Sequence, residues 1–381
     1  MLSLKYSVLL TGAGLLLSLS LLAQAAAYSF DGDVRGGYFT LHRDERTGAH
    51  EVTDEWRLRL RAAVTTKFNA QWQARARFAG RYSTDKRNAE YFTFFDKIPS
   101  GDGLRRGDST LDEMYVDYKA SKQWQVRVGR FQSSFELKGV AKKSLDRNNS
   151  PNTDITWTDG LRLRYQAGNG WQSTFIAQYN DNEGATEVRR GPLDFSDDGS
   201  RWSYFVSLQN RRKLGPIVQR EIDVTWLPDA LYGKGVAAGS NKDYWGIVGR
   251  LAAQWPLGDS GTKFMLSGAL GYAPTTPDRS AVKTGSNGDA DGMAAQVSFN
   301  FIDIIPKHSL GLLAGRAGDG WLLSPDFRDN TNLYEARYKW IVNKKQKLEA
   351  RFRYRVDIDQ RVGVAQDRVD KDLYVRYTLK F

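Results

Sequence analysis

Beyond its first two dozen residues the chain alternates. In Trp56-Arg57-Leu58-Arg59-Leu60-Arg61-Ala62 every even position is apolar and every odd one is arginine. A period of two sends successive side chains to opposite faces of a β-strand. The next segment repeats the pattern, with Trp72, Ala74, Ala76 and Phe78 on one face and Gln73, Arg75, Arg77 and Arg81 on the other. Only residues 66–70 lie between the two, so they form a hairpin.

This unit recurs along the chain. Val116 and Tyr118 lead through a turn near Lys122 into Trp124, Val126 and Val128. Trp245, Ile247, Leu251 and Trp255 turn at Pro256-Leu257-Gly258-Asp259 into Phe264, Leu266 and Leu270. With a first strand over 30–38 and a last over 373–381, the tally is about sixteen; about fourteen or eighteen also satisfies the even-number rule of single-chain barrels. The periodicity is faintest around Leu310 and over 111–119.

Short turns alternate with long polar connections at 44–54, 83–108, 132–156, 180–200, 228–242, 274–290, 318–330 and 360–370. Short periplasmic turns and long external loops are the habit of outer-membrane barrels. The predicted architecture is all-β, a transmembrane antiparallel up-and-down β-barrel. A soluble β-sandwich would leave the tryptophan-rich faces without enough partners.

Both ends of the chain fit this picture. Lys5, the apolar run 7–22 and Ala23-Gln24-Ala25-Ala26-Ala27 have the form of a secretory signal. Cleavage after Ala25 or Ala27 is compatible with it; the favoured division is a signal at 1–27 and a barrel at 28–381. At the other end Leu373, Val375, Tyr377, Leu379 and Phe381 make one apolar face ending on an aromatic ring. This resembles the C-terminal signal read by the barrel-assembly machinery. Tyr377, Leu379 and Phe381 are its candidate residues.

Composition narrows the function. There is no cysteine, so thiol chemistry and disulfides are absent, and the three histidines are scattered. No cofactor or metal is expected. Eleven Trp and 18 Tyr suit aromatic girdles at two membrane boundaries. The net charge of +11 falls to +10 without Lys5. Export removes nucleic acid as a partner, which leaves anionic solutes, outer-membrane lipid and lipopolysaccharide.

Where the arginines sit decides between these. Opposite the apolar faces stand Arg57, Arg59, Arg61, Arg75, Arg77, Arg81, Arg127, Arg162, Arg164, Arg250, Arg337, Arg351, Arg353, Arg355 and Arg376. A charge facing lipid costs about 2–4 kcal/mol at the midplane, so these rows are expected to line a water-filled lumen. The facing acids are fewer: Asp31, Asp33, Glu113, Asp117, Glu221, Asp223, Glu335 and Glu349. Guanidinium forks match carboxylate and phosphate oxygens, and rows of them draw anions in. The alternative role is pairing with acids on neighbouring strands to stiffen the wall.

After Gly129-Arg130-Phe131, the segment 132–156 is the candidate constriction loop, with Glu136, Lys138, Lys142, Lys143, Asp146, Arg147 and Asp154. Mixed charge at a narrow point would set up a transverse field. An ordinary external loop is the other reading of this segment.

The whole chain after the signal resembles bacterial general and substrate-specific porins. The pairing of Leu111-Asp112-Glu113-Met114-Tyr115-Val116-Asp117-Tyr118 with Val126-Arg127-Val128-Gly129-Arg130-Phe131 is similar to the strands before the constriction loop in that group. The resemblance implies passive diffusion of small hydrophilic solutes through a homotrimer, and the arginine rows resemble its anion- or phosphate-selective branch. Rival readings are an exporter of an acidic polysaccharide, a barrel enzyme and a filled scaffold. No Ser–His–Asp-like grouping supports the enzyme.

Overall fold

A computed structural model describes residues 27–84, 109–148, 157–180, 191–195, 199–232, 241–259 and 261–381. All but Ala27 of the signal segment 1–27, together with Asp154 and most of the connection 83–108, lies outside the described residues.

Sixteen strands form: β1 (Ala27–Asp44), β2 (His50–Lys67), β3 (Trp72–Ser83), β4 (Ser109–Lys119), β5 (Trp124–Phe131), β6 (Thr158–Gln166), β7 (Trp171–Tyr179) and β8 (Trp202–Asn210) in the first half. The second half holds β9 (Ile217–Leu231), β10 (Lys242–Pro256), β11 (Lys263–Tyr272), β12 (Met293–Ile305), β13 (His308–Ala317), β14 (Thr331–Ile341), β15 (Gln346–Asp357) and β16 (Val369–Lys380). Each strand pairs antiparallel with its neighbours in sequence, and β1 pairs with β16. Closure leaves no sheet edge, which is the condition for a sheet to sit in hydrocarbon. At the seam, Phe381 and Gly32 exchange two backbone hydrogen bonds of 3.2 Å.

The alternation read from sequence sorts the two faces. Trp56 is 62% and Leu58 38% exposed on the outside, while Arg59 and Arg61, next on the opposite face, are 4% and 6% exposed. Outer aromatics fall into two belts. Near the short turns Trp72 stacks on Tyr118 at 4.4 Å, and Trp124 packs at a tilt against Tyr165 at 4.7 Å. Tyr204, Trp226 and Trp245 stack across three strands near the long loops, at 5.1 and 5.3 Å. On β10 ten residues separate Trp245 from Trp255; at ~3.4 Å per residue and ~40° tilt that is ~26 Å, the height of an apolar band.

Three expectations change. The connection 44–54 is not a long loop: pairing runs on to Asp44 opposite His50, helped by an Arg43–Glu51 ion pair of 3.0 Å. Strict alternation fails in β4, where the register with β3 shifts between Arg77 and Phe78. A bulge gives two consecutive residues the same side, so Asp112 joins Glu113 inside. The lumen, finally, is not open throughout. Inward-facing Leu227, Tyr244, Val248, Leu313 and Leu333 of β9–β14 form one apolar cluster with Leu137, Ala141 and Leu145 from the 132–148 segment and Trp321, Leu322, Leu323 and Phe327 from the 318–330 connection.

Candidate functional site

A chain segment inside a barrel must find partners for its backbone groups. The wall supplies them for 132–148. Asn300 Oδ1 on β12 accepts from the amides of Val140 (2.7 Å) and Ala141 (3.2 Å). Gln219 on β9 accepts from the Lys138 amide at 2.8 Å and donates to the Glu136 carbonyl at 3.1 Å. Ser298 donates to the Ala141 carbonyl at 2.9 Å and Gln296 to that of Lys143 at 3.2 Å. Residues 149–156 of the candidate loop lie outside the described residues.

The 318–330 connection folds in beside it, which its polar neighbours in sequence did not suggest. Only the run Trp321-Leu322-Leu323, out of character for an external loop, signalled it. Trp321 donates to the Leu145 carbonyl at 3.1 Å, and Tyr244 donates to the Gly320 carbonyl at 2.8 Å. The wall makes room with glycine: a Cβ at Gly246 would lie 2.3 Å from Leu323, and one at Gly271 would lie 2.8 Å from Trp321.

The two segments fill the β9–β14 side and leave open space against β14–β16, β1 and β2. An outer chamber of about 580 Å³ is lined by Arg57, Arg61, Arg337, Arg351, Arg353, Arg355 and Arg376, by Arg43, and by Glu136, Lys142, Lys143 and Asp326 opposite. Ten of its charged side chains are basic and two acidic. A second chamber of about 340 Å³ lies toward the short turns, with Lys339, Lys344, Lys345, Lys347 and Lys380 and one acid, Glu349. Lys142 and Arg337 line both.

The arginines hold their positions through cross-strand pairing with acids set into the wall. In the register of β14–β16, Glu335 faces Arg353, which faces Asp372, and Arg355 faces Asp370. Arg351 and Arg353 reach Asp372 at 2.5 and 2.7 Å, and Arg376 reaches Glu349 at 2.8 Å. Asp370 is fully buried and receives Arg328 and Arg355 at 2.8 Å and Arg43 and Arg368 at 3.2 Å. The geometry sets carboxylates behind and guanidinium edges in front, toward the chamber. Asp370 and Asp372 were missed in sequence although the alternation of β16 places Asp372 beside Tyr374 and Arg376 on the inner face.

Among the sequence-selected arginines of β2–β10, Arg57 and Arg61 line the outer chamber and the others line neither. Arg59 pairs with Asp33 (2.9 Å), Arg61 with Asp112 (3.0 Å), Arg75 with Asp31 (2.6 Å) and Glu113 (2.7 Å), and Arg77 with Asp112 (2.8 Å). Arg81 faces Arg59 across β2 and β3. Arg127 forms a bidentate pair with Asp117, both contacts 2.7 Å. Arg162 and Arg164, beside it on β6, have no carboxylate within ion-pair distance among the described residues. Arg250 lines neither chamber. Its side chain is wholly buried against Asp146, Glu221 (2.8 Å) and Asp223, and it donates to the Phe135 carbonyl at 3.2 Å.

Nor does the 132–148 segment present all its charges to the space. Glu136 contacts Lys142, and Lys143 lies between Asp326 (3.2 Å) and Glu335 (3.0 Å). Arg147 turns away to Ser203 (2.9 Å) and the Phe195 ring (4.5 Å). Lys138 is partly exposed and lines neither chamber. With Asp146 and Arg147 buried, the in-folded side offers the outer chamber two basic and two acidic groups against eight arginines on the wall, so the surfaces are not split into opposite charges. Tyr377, Leu379 and Phe381 lie on the outer face, Tyr377 at 41% and Phe381 at 56% exposure.

No family profile and no curated sequence matches the chain. Solved structures do. OprB of Pseudomonas putida aligns over 97% of both chains with a TM-score of 0.60 at 12% identity. An anion-selective porin from Comamonas acidovorans aligns over 93% of this chain and all of its own, with a TM-score of 0.53 at 12% identity. A BenF-like porin from Pseudomonas fluorescens Pf-5 aligns over 93% and 99%, with a TM-score of 0.54 at 12% identity. The closed sixteen-stranded barrel described above is the porin fold.

Proposed function

We propose that the protein is an outer-membrane porin that lets small hydrophilic anions diffuse through an arginine- and lysine-lined channel. The observation that carries this reading is the pair of adjoining chambers, with ten basic against two acidic side chains in one and seven against one in the other. Low-dielectric walls around such an imbalance concentrate anions and repel cations. Each guanidinium is already half-satisfied by its buried acid, so a passing anion meets many weak sites and no deep trap, as conduction requires.

The export signal and the terminal strand support delivery to the outer membrane by the barrel-assembly machinery. One of the structurally similar proteins is described as anion-selective, in keeping with the same preference here. An exporter of acidic polysaccharide would use the same charge. The two in-folded segments leave such a polymer only part of the bore, which favours small solutes. Trimer formation follows from the porin resemblance and is part of the proposal.

The test is a planar bilayer under a KCl gradient. A reversal potential displaced toward the chloride equilibrium potential is expected. Cation preference would reject the anion channel, and absence of conductance in folded, inserted protein would reject the porin.

A further inference from the structure

The short-turn end of the barrel is strongly basic beyond the lumen. Its seven turns, with their flanking residues and the end of β16, carry eleven basic side chains, and Asp259 and Asp303 are the acids there. All eleven are exposed. They occur at six of the seven turns, with Arg211-Arg212-Lys213 and Lys344-Lys345 at the tips. Arg211 comes within 3.9 Å of Glu221; none of the other ten has a carboxylate within ion-pair distance among the described residues. Among the described residues, the connections that stay at the opposite end carry six basic and seven acidic side chains. The molecule is thus charged along its axis, with a positive ring around the turn end.

Lys344, Lys345 and Lys380 also line the second chamber; the other eight line neither chamber, and a cluster of cations so placed fits an external polyanion. Depth selects which one. Aromatic side chains mark the boundary between hydrocarbon and headgroups. Tyr118 adjoins Lys119, Phe264 adjoins Lys263, Trp124 follows Lys122 by two positions, and Trp340 precedes Lys344 by four. At ~3.4 Å per residue and ~40° tilt the cations stand ~3–10 Å beyond the boundary. A headgroup layer is about 5–8 Å thick. The charges therefore lie level with lipid phosphates and do not project far past them.

We propose that this ring binds the phosphate groups of anionic phospholipids in the leaflet at the turn end. That leaflet is the periplasmic one if the porin reading gives the orientation; lipid binding itself does not depend on conductance. Ammonium groups on flexible stems suit a fluid layer of phosphates, since they follow the headgroups without a fixed geometry.

The experiment reconstitutes the full chain in phosphatidylcholine bilayers containing spin-labelled phosphatidylglycerol or phosphatidylcholine and measures the motionally restricted lipid by electron paramagnetic resonance. Native protein is expected to prefer phosphatidylglycerol by about fivefold at low salt, the factor supplied by one basic residue at an anionic surface. The preference should collapse in 0.5 M salt. The combined variant K122Q, R211Q, R212Q, K213Q and K307Q, none of which lines a chamber, should lose most of it, whereas K371Q at the loop end should keep it. Retention of the heat-modifiable folded band shows that each variant is folded. No preference in native protein, or full preference in the five-site variant, overturns the proposal. So does equal displacement of the labelled lipid by soluble cell-wall fragments, which would make the partner a polymer. Single-channel current in the same bilayers tests the porin reading separately.

Discussion

Arg250 on β10 and Asp146 on the in-folded segment form an ion pair with both side chains fully buried. The same guanidinium holds Glu221 and Asp223 on β9, so one side chain ties the segment to the wall. Removing the central cation of such a cluster strands buried carboxylates, a loss of about 3–5 kcal/mol.

Arg250→Gln should therefore loosen the 132–148 segment. Single-channel recordings are expected to show larger, noisier currents, and limited proteolysis should cut within the segment. Because Arg250 touches neither chamber, the reversal potential should hardly move. A variant with native conductance and native protease resistance would show that the segment is anchored by other contacts.

Lys142 lines both chambers, on the side facing the arginine wall. Lys142→Glu reverses the charge at their junction and should reduce the chloride-to-potassium permeability ratio several-fold in a KCl gradient. Arg59→Glu with Arg77→Glu places charge reversals beside Asp33 and Asp112 instead. That pair should lower the unfolding temperature more than it alters selectivity. The reverse ranking of the two variants would contradict the assignment of the junction.

Gly311 lies beneath the in-folded segment, where an added Cβ would sit 2.4 Å from the Ala141 amide nitrogen and 2.9 Å from the Val140 Cβ. Gly311→Val should push the segment off the wall and change conductance. Gly268→Ala, whose added Cβ would meet nothing nearer than 3.7 Å, should conduct like the native protein. Equal conductance in all three proteins would refute the packing.

Trp321 is fully buried against the wall glycines and the 132–148 segment. Trp321→Ala empties a large apolar site at a cost of about 3–5 kcal/mol. Near-ultraviolet circular dichroism in detergent should show a lower melting temperature, with the far-ultraviolet β-sheet signal intact beforehand. Anion preference should persist, since no chamber residue is altered. An unchanged melting temperature would mean that the 318–330 connection contributes little to stability.

Much of this was legible in the chain because hydrocarbon leaves no choice. Each strand must put apolar side chains outside, so the alternation of Trp56, Leu58 and Leu60 with Arg57, Arg59 and Arg61 was enough to set strands, faces and the inward course of the arginine rows. The even count, the turn positions and the terminal closing strand follow from the same requirement. Inside the barrel the solvent is water or protein, and local pattern does not distinguish the two. Arg250 and Arg351 have the same alternation and opposite fates, one sealed beneath a segment more than a hundred residues earlier, the other edging a chamber. The bulge that turns Asp112 inward, the apolar filling of β9–β14 and the pairing of Asp370 with four arginines all depend on which residues distant in sequence meet. Only the closed tertiary structure brings them together.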